Sequence, residues 1–381
     1  MRNLRCAGVR HAPKQSNQGD SVVPAQVGDI TVSWLNEALA DNAEVGTISA
    51  VEAEPIGVGV GILGEVARLK LAYEDGQSGP ASMIAKCQSA HAENVFVCQM
   101  MGFYVREISF YNELAGSLDI RVPSHYVADM EEGGVPFVLL VEEITDARSI
   151  DQIEGATRDD AMKVAETIAA LQAPFWNNDR VHALEWLPPM NNDLYKAAEG
   201  LAVDNWDAFV ENWGDKVDAE VLGWVEQLTP KYGVMLDWWV DASPVTLAHT
   251  DCRAENYLFG GSAGDDVVTV LDFQLVTKHV GTYDIANFLG MSVTIENRRA
   301  WQDEVVKHYH DSLLANGVEG YDFEQCMRDY RYCLLQQAWG QVAVANLDPG
   351  NDRGRQLLNE FVTRAFAAAG DNNSGELLEQ L

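Results

Sequence analysis

At 381 residues the chain is long enough for two lobes with separate cores. It carries 58 acidic residues against 26 basic ones, a net charge of −32 that repels phosphate backbones and argues against nucleic acid as a partner. No apolar stretch approaches the roughly 20 residues of a membrane span, no secretory h-region opens the chain, and six scattered cysteines lack a paired metal spacing, so a cytoplasmic protein with reduced thiols and no membrane partner is expected.

In chain order, residues 1–26 are polar, rich in Pro, Gln, Ser and Gly, and read as a loose tail. Residues 27–142 form the expected smaller lobe, mostly antiparallel strands. Its first marker is Gly57-Val-Gly59-Val-Gly61-Ile-Leu-Gly64, where Gly59 and Gly61 are the candidate phosphate-facing positions. A dinucleotide fold needs a helix after such glycines, whereas the alternation Leu69-x-Leu71-x-Tyr73 predicts a strand. A glycine loop between two strands is a lid over phosphates; a ligand-free glycine-rich hairpin is the plainer alternative.

The next strand, Ser82-Met-Ile-Ala-Lys86-Cys87, carries a lone lysine at the end of an apolar run, suited to reach nucleotide phosphates. Its expected partner is a glutamate on a helix over residues 92–114, whose Met101, Val105, Ile108 and Tyr111 recur at helical spacing. Glu107 and Glu113 are both available, and Glu107 is the choice here. Phe137-Val-Leu-Leu-Val141 predicts a buried strand running into Glu142-Glu143, a hinge where an adenine would meet backbone groups.

Residues 143–370 are expected to form a larger, mainly helical lobe, with helical spacing over 158–171, 301–314 and 323–344, and 371–381 read as a second loose tail. Before the catalytic motifs this lobe carries Trp176, Trp186, Trp206, Trp213, Trp224, Trp238 and Trp239 among many acids. Aromatics beside carboxylates suit a cation or a flat alcohol, but tryptophans at helical spacing more often build a core.

The chemistry concentrates in His249-Thr-Asp251-Cys-Arg-Ala-Glu-Asn256, an apolar strand over 267–271, and Asp272-Phe-Gln274. Transfer of a γ-phosphoryl group needs a carboxylate to orient and deprotonate an attacking hydroxyl, and oxygen ligands for Mg2+. Asp251 supplies the first; Asn256 and Asp272 supply the second. Read one at a time, His249 fits a core histidine, Asp251 a turn and Asn256 a cap; the order of the parts favours the catalytic reading.

Together these segments resemble the aminoglycoside phosphotransferase and choline kinase superfamily, and within it the ecdysteroid-kinase-like branch. The resemblance runs over residues 56–289, through the glycine loop, Lys86, Glu107-x-x-Phe-Tyr111, Glu142-Glu143, the 249–259 segment, Asp272-Phe-Gln274 and Tyr283-Asp284. It implies an α+β, bilobal protein-kinase-like fold, ATP and Mg2+ as cofactors, and a small hydroxylated molecule as acceptor. It also implies Asp251 as base, Asn256 and Asp272 as metal ligands, Lys86 as a phosphate contact held by Glu107, and Asp284 as an anchor of the catalytic loop. The chain departs from the family at Thr250, where glycine is usual, which leaves the acids intact and puts the local loop geometry in question.

Between Asp272 and Asp284 there is too little chain for an activation loop, no Ala-Pro-Glu follows, and Gln274 stands where a protein kinase has glycine. A small-molecule kinase is therefore the expectation. A nucleotide-binding pseudokinase, or a kinase acting on a protein or peptide, is the alternative.

Overall fold

A computed structural model of the protein describes residues 22–56, 63–344 and 350–381. The small lobe is one antiparallel sheet of five strands in the order β1-β2-β3-β5-β4: β1 is Ile48–Pro55, β2 Gly64–Tyr73, β3 Ser82–Gln88, β4 His125–Met130 and β5 Phe137–Glu142. Alternation along β3 puts Met83, Ala85 and Cys87 on one face, against Val23, Ile30 and Leu35 at and near helix α1 (Val32–Ala38). Lys86 therefore falls on the opposite face. On β5, Val138 and Leu140 join the α1 side while Phe137, Leu139 and Val141 face the other core, which explains its unbroken apolar sequence.

The helix expected over 92–114 is two helices, α2 (Ala92–Met101) and α3 (Phe103–Glu113). They break at Gly102, whose φ of +70° is a conformation that costs a glycine little and any other residue more. Val23, inside the stretch read as a loose tail, is buried in the small-lobe core, so packing begins before residue 27.

The larger part is helical: α4 (Arg158–Gln172), α5 (Asp179–His182), α6 (Asp193–Trp213), α7 (Ala219–Leu228), α8 (Tyr232–Ala242), α9 (Thr282–Met291), α10 (Ile295–Ala315), α11 (Phe323–Ala343) and α12 (Asp352–Asp371). Its starts are written locally. Thr157 and Asp160 close a capping box on α4, and Asn192, Asp218, Thr294, Asp322 and Asn351 each cap a helix with a side-chain oxygen. Residues 371–381, expected to be loose, instead pack: Leu377 is fully buried and Gly375 sits against the Trp224 ring, because this polar stretch also carries apolar anchors that find partners remote in sequence. Among the described residues no helix is long and apolar enough to cross a membrane. Cys87, Cys98, Cys252, Cys326 and Cys333 are buried free thiols.

Short strands carry the loops between these helices. Strand β7 (Val245–Ala248) pairs with β10 (Thr277–Val280), and β8 (Tyr257–Phe259) pairs with β6 (Arg148–Ser149) and with β9 (Val268–Val270). The loop leaving β7 and the loop leaving β9 are thereby set side by side, under Lys86.

One buried carboxyl in the helical lobe yields a stability prediction. Asp329 on α11 accepts from Ser243 Oγ at 2.8 Å and Tyr321 Oη at 3.0 Å, and burial raises its carboxyl to about 6 against the pull of those bonds. A folded pKa above the unfolded one means the stabilisation is full at low pH and is lost as pH rises through about 6. Asp329→Asn should therefore raise Tm by a few degrees at pH 8 and leave it unchanged at pH 4. Equal Tm values for the two proteins at pH 8 would show that Asp329 is not titrating in this way.

Candidate active site

Period-2 geometry delivers Lys86 to the sheet face opposite α1, and α3 delivers its partner. Lys86 Nζ lies 2.8 Å from Glu107 Oε2 and 2.9 Å from Asp272 Oδ1, with Glu107 only 2% exposed. Burial pushes the Glu107 carboxyl up, while Lys86 holds Asp272 below its ordinary range against burial. One cation between two carboxylates leaves a net negative charge. Glu113, the other candidate, accepts instead from Trp186 Nε1 at 2.9 Å.

Asp251 and Asn256 meet across the turn between β7 and β8. Asn256 Nδ2 donates to the Asp251 carbonyl at 2.7 Å and to its Oδ2 at 3.0 Å, which turns the Asn256 amide oxygen the other way. Leu271 N–H donates to the Asn256 carbonyl at 2.9 Å, placing Asp272 beside Asn256. His249 Nε2 donates to the Leu271 carbonyl at 2.9 Å, and its Nδ1 accepts from Asp251 N–H at 3.3 Å, a pattern that fits the Nε2-protonated neutral ring.

The loop hangs from Asp284. This fully buried carboxylate accepts from His249 N–H and Thr250 N–H, both at 2.8 Å, and from Gln172 Nε2 at 2.8 Å. Thr250 has a φ of +61°, the region where a glycine is at ease and a β-branched residue costs about 1–2 kcal/mol. Two bonds hold it there: its N–H on Asp284, and its hydroxyl donating to the Leu275 carbonyl at 2.6 Å. The question raised by this departure has a local answer, since the loop keeps its left-handed residue and adds a tether.

Phe273 stacks on Phe110 of α3, centroids 3.6 Å apart, and sets its edge toward His249. Asp272 is left-handed, with φ +65°, and aims its carboxylate at Lys86. Gln274 donates to Asp272 Oδ2 at 3.2 Å, and its own buried amide oxygen has no hydrogen-bond partner. Asp272 Oδ2 and the amide oxygen of Asn256 are hard oxygen donors on adjoining loops, a chemistry that fits a hard divalent cation, while Gln274 bonds Asp272 through its amide nitrogen. Among the described residues no cluster of three or more His, Cys, Asp or Glu offers an alternative metal centre.

The remaining candidates fall in three places. Gly59 and Gly61 lie outside the described residues. Glu142 accepts from Ser124 N–H at 2.8 Å and pairs with Arg121; Glu143 accepts from Arg68 Nε at 2.7 Å, which lowers its carboxyl. Both side chains are tied to the small lobe, so what they leave for a base is backbone. The tryptophans serve mostly as packing: Trp239 and Trp213 are buried, Trp176 covers Gly281, and Trp186, Trp206, Trp224 and Trp238 lean on the core.

Two residues escape the sequence reading. Arg253 Nε lies 3.0 Å from Asp251 Oδ1, a cation beside the candidate base that could have been noticed from its place two residues on. Arg106, next to Glu107, is buried at 2% exposure and donates to Tyr195 Oη at 2.6 Å and to the Met101 carbonyl at 2.5 Å, with longer contacts to the carbonyls of Leu275 and Val276. No local pattern marks it: Met101 lies five residues back, but its other partners come from two distant segments, at Tyr195 and over 275–277.

Against known proteins, residues 162–317 match the ecdysteroid kinase-like family, a segment that contains Asp251, Asn256, Asp272 and Asp284. An uncharacterized kinase-like protein of Caenorhabditis elegans is 21% identical over 240 residues, 59% of this chain and 61% of that protein, so the match spans less than two thirds of the relative's length. A choline kinase of Cryptosporidium parvum superposes with a TM-score of 0.56 at 12% identity, over 92% of this chain and 96% of that one. A Plasmodium vivax ethanolamine kinase aligns with a TM-score of 0.49 at 13% identity, over 85% of this chain and 81% of that one. The choline kinase likeness is one of fold: the chain has the α+β, bilobal protein-kinase-like architecture expected from its sequence.

Proposed function

We propose that this kinase-like chain is an ATP-dependent phosphotransferase that moves the γ-phosphoryl group of Mg-ATP to a hydroxyl of a small molecule. The observation that carries the reading is the convergence of Lys86, Glu107 and Asp272 on one ion-paired centre, with Asp251 and Asn256 one hydrogen-bonded step away. In this reading Asp251 orients the acceptor hydroxyl and takes its proton, Lys86 turns from Asp272 to the nucleotide phosphates, and Glu107 keeps Lys86 in place. Asn256 and Asp272, with Gln274 in support, would hold Mg2+, which supplies charge neutralisation for the transferring group. Glu142 and Glu143 would offer backbone groups to the base, and Gly59 and Gly61 would cover the phosphates.

A small acceptor is favoured by the short chain after Asp272. The twelve residues to Asp284 are used up by a single turn over 273–275, by β10, which pairs at once with β7, and by the start of α9, with one residue between each. No segment is left to receive a peptide in the manner of an activation loop. The five buried thiols suit a reducing cytoplasm.

The test is incubation with Mg-ATP and a panel of simple alcohols, amino alcohols, aminoglycosides, sterols and a generic peptide substrate, read by mass spectrometry for an added phosphoryl group. Transfer to a small alcohol is the expected result. Nucleotide binding with no transfer to any class would favour a binding module, and transfer to the peptide alone would move the reading to a protein kinase.

A further inference from the structure

The carbonyl of Leu275 is a junction. Thr250 Oγ1 donates to it at 2.6 Å from the catalytic loop, Thr277 Oγ1 donates at 2.9 Å from β10, and Arg106 Nη1 lies at 3.4 Å from α3. A chain of donors continues from there. Because the Thr277 hydroxyl proton is committed to Leu275, Thr277 accepts from Tyr195 Oη at 3.0 Å, and Tyr195 in turn accepts from Arg106 Nη1 at 2.6 Å. One backbone oxygen thus joins the catalytic loop, the small-lobe helix that carries Glu107, and α6 of the helical lobe.

Leu275 closes the single turn that begins after Asp272. The front of that turn is fixed by the Phe273–Phe110 stack; its back is held through this carbonyl and its neighbour, with Arg106 3.3 Å from the Val276 oxygen, by the buried Val276 side chain, and by the pairing of Thr277 with Ala248. Asp272 and Thr250 are both left-handed, and Thr250 is tethered to the carbonyl three residues beyond Asp272. A hydroxyl at position 250 adds a direct tie from the Asp251 loop to the back of the Asp272 turn, beside the ties that His249 makes at its front.

We infer that Thr250 is a positioning residue: its hydroxyl, clamped on the Leu275 carbonyl together with Arg106 and Thr277, holds Asp272 in register with Asp251 and Asn256. The inference rests on the phosphotransferase reading for its consequence in turnover, and on geometry alone for the clamp. It assigns a role to the residue at which the chain departs from the expected glycine. Threonine keeps the left-handed backbone at some strain and in exchange supplies a bond that glycine cannot make.

Three variants of the full chain test it. Thr250→Val keeps the branched shape and removes the hydroxyl, Thr250→Ser keeps the hydroxyl, and Thr250→Gly removes both hydroxyl and strain. With Mg2+ and ATP as probes and water as acceptor, hydrolysis to ADP and phosphate is followed against Mg2+ concentration. The Val and Gly variants should need about tenfold more Mg2+ for half-maximal rate, the scale of one lost hydrogen bond at the metal ligand's support, whereas Ser should match the wild type. Amide hydrogen exchange of the ligand-free protein should quicken about tenfold over residues 271–277 in Val and Gly, with α4 and α10 unmoved. If Val should fail to fold, Ser against Gly still decides. Wild-type Mg2+ dependence and wild-type exchange in the Gly variant would overturn the inference. A wild-type protein that neither binds nor hydrolyses Mg-ATP would instead sink the phosphotransferase reading, and the exchange pattern would still judge the clamp.

Discussion

Asp251→Asn is expected to lower kcat by about 10²-fold or more while Mg-ATP binding and folding stay close to wild type. The substitution keeps the shape of the side chain and removes the negative charge that accepts the acceptor's proton. In a loose phosphoryl-transfer transition state the protein contributes mainly positioning and charge, so what is lost is the orientation of the attacking oxygen. The surroundings constrain the outcome further. Asp251 Oδ1 faces Arg253 Nε and Oδ2 faces Asn256 Nδ2, both donors, so one of them must face the new amide nitrogen. Arg253 retains Glu255 at 3.5 Å, and Asn256 retains the Asp251 carbonyl, which is why Tm should move little. Steady-state turnover, Mg-ATP titration calorimetry and a melting curve on one preparation make the comparison. Wild-type turnover in Asp251→Asn would remove this loop from the chemistry.

Asp272→Ala should be more severe, abolishing Mg2+-dependent nucleotide binding and turnover together. It deletes a charged oxygen donor, leaves Gln274 Nε2 without its acceptor, and frees Lys86 from one of two carboxylates. The loss in metal affinity should exceed the roughly 10- to 100-fold seen when only a supporting partner of a ligand is removed. ATP binding measured with and without Mg2+ separates the effects: the metal-free affinity should change far less than the metal-dependent one. A variant that still shows normal Mg2+-dependent activity would place the metal elsewhere.

How far such a site can be read from sequence depends on which periodicities reach it. Lys86 is legible because strand alternation sends Met83, Ala85 and Cys87 to one core and leaves the lysine for the other face. The choice between Glu107 and Glu113 is not, because both lie on one helix and the face turned to Lys86 is set by the break at Gly102 and by packing on Phe273. The pairing of Asn256 with Asp251 is local, five residues apart, and is carried by a motif. Arg106 is the opposite case: nothing beside it in sequence marks it as buried, since Tyr195, Leu275 and Thr277 come to it only in the folded chain. The C-terminal stretch misleads for a related reason. Its composition is that of a loose end, and a few apolar side chains such as Leu377 decide otherwise once α7 and α11 are there to receive them.

The buried cysteines make the protein a reporter of its own opening. Cys252 adjoins Asp251 yet is fully buried, with its thiol pushed well above the ordinary range by burial, and burial raises the Cys87 thiol to about 12. Only a thiolate that solvent can reach is alkylated at an appreciable rate. Labelling mapped to Cys252 would therefore time the local unfolding of the loop around Asp251, and labelling mapped to Cys87 would time the opening of the strand that carries Lys86.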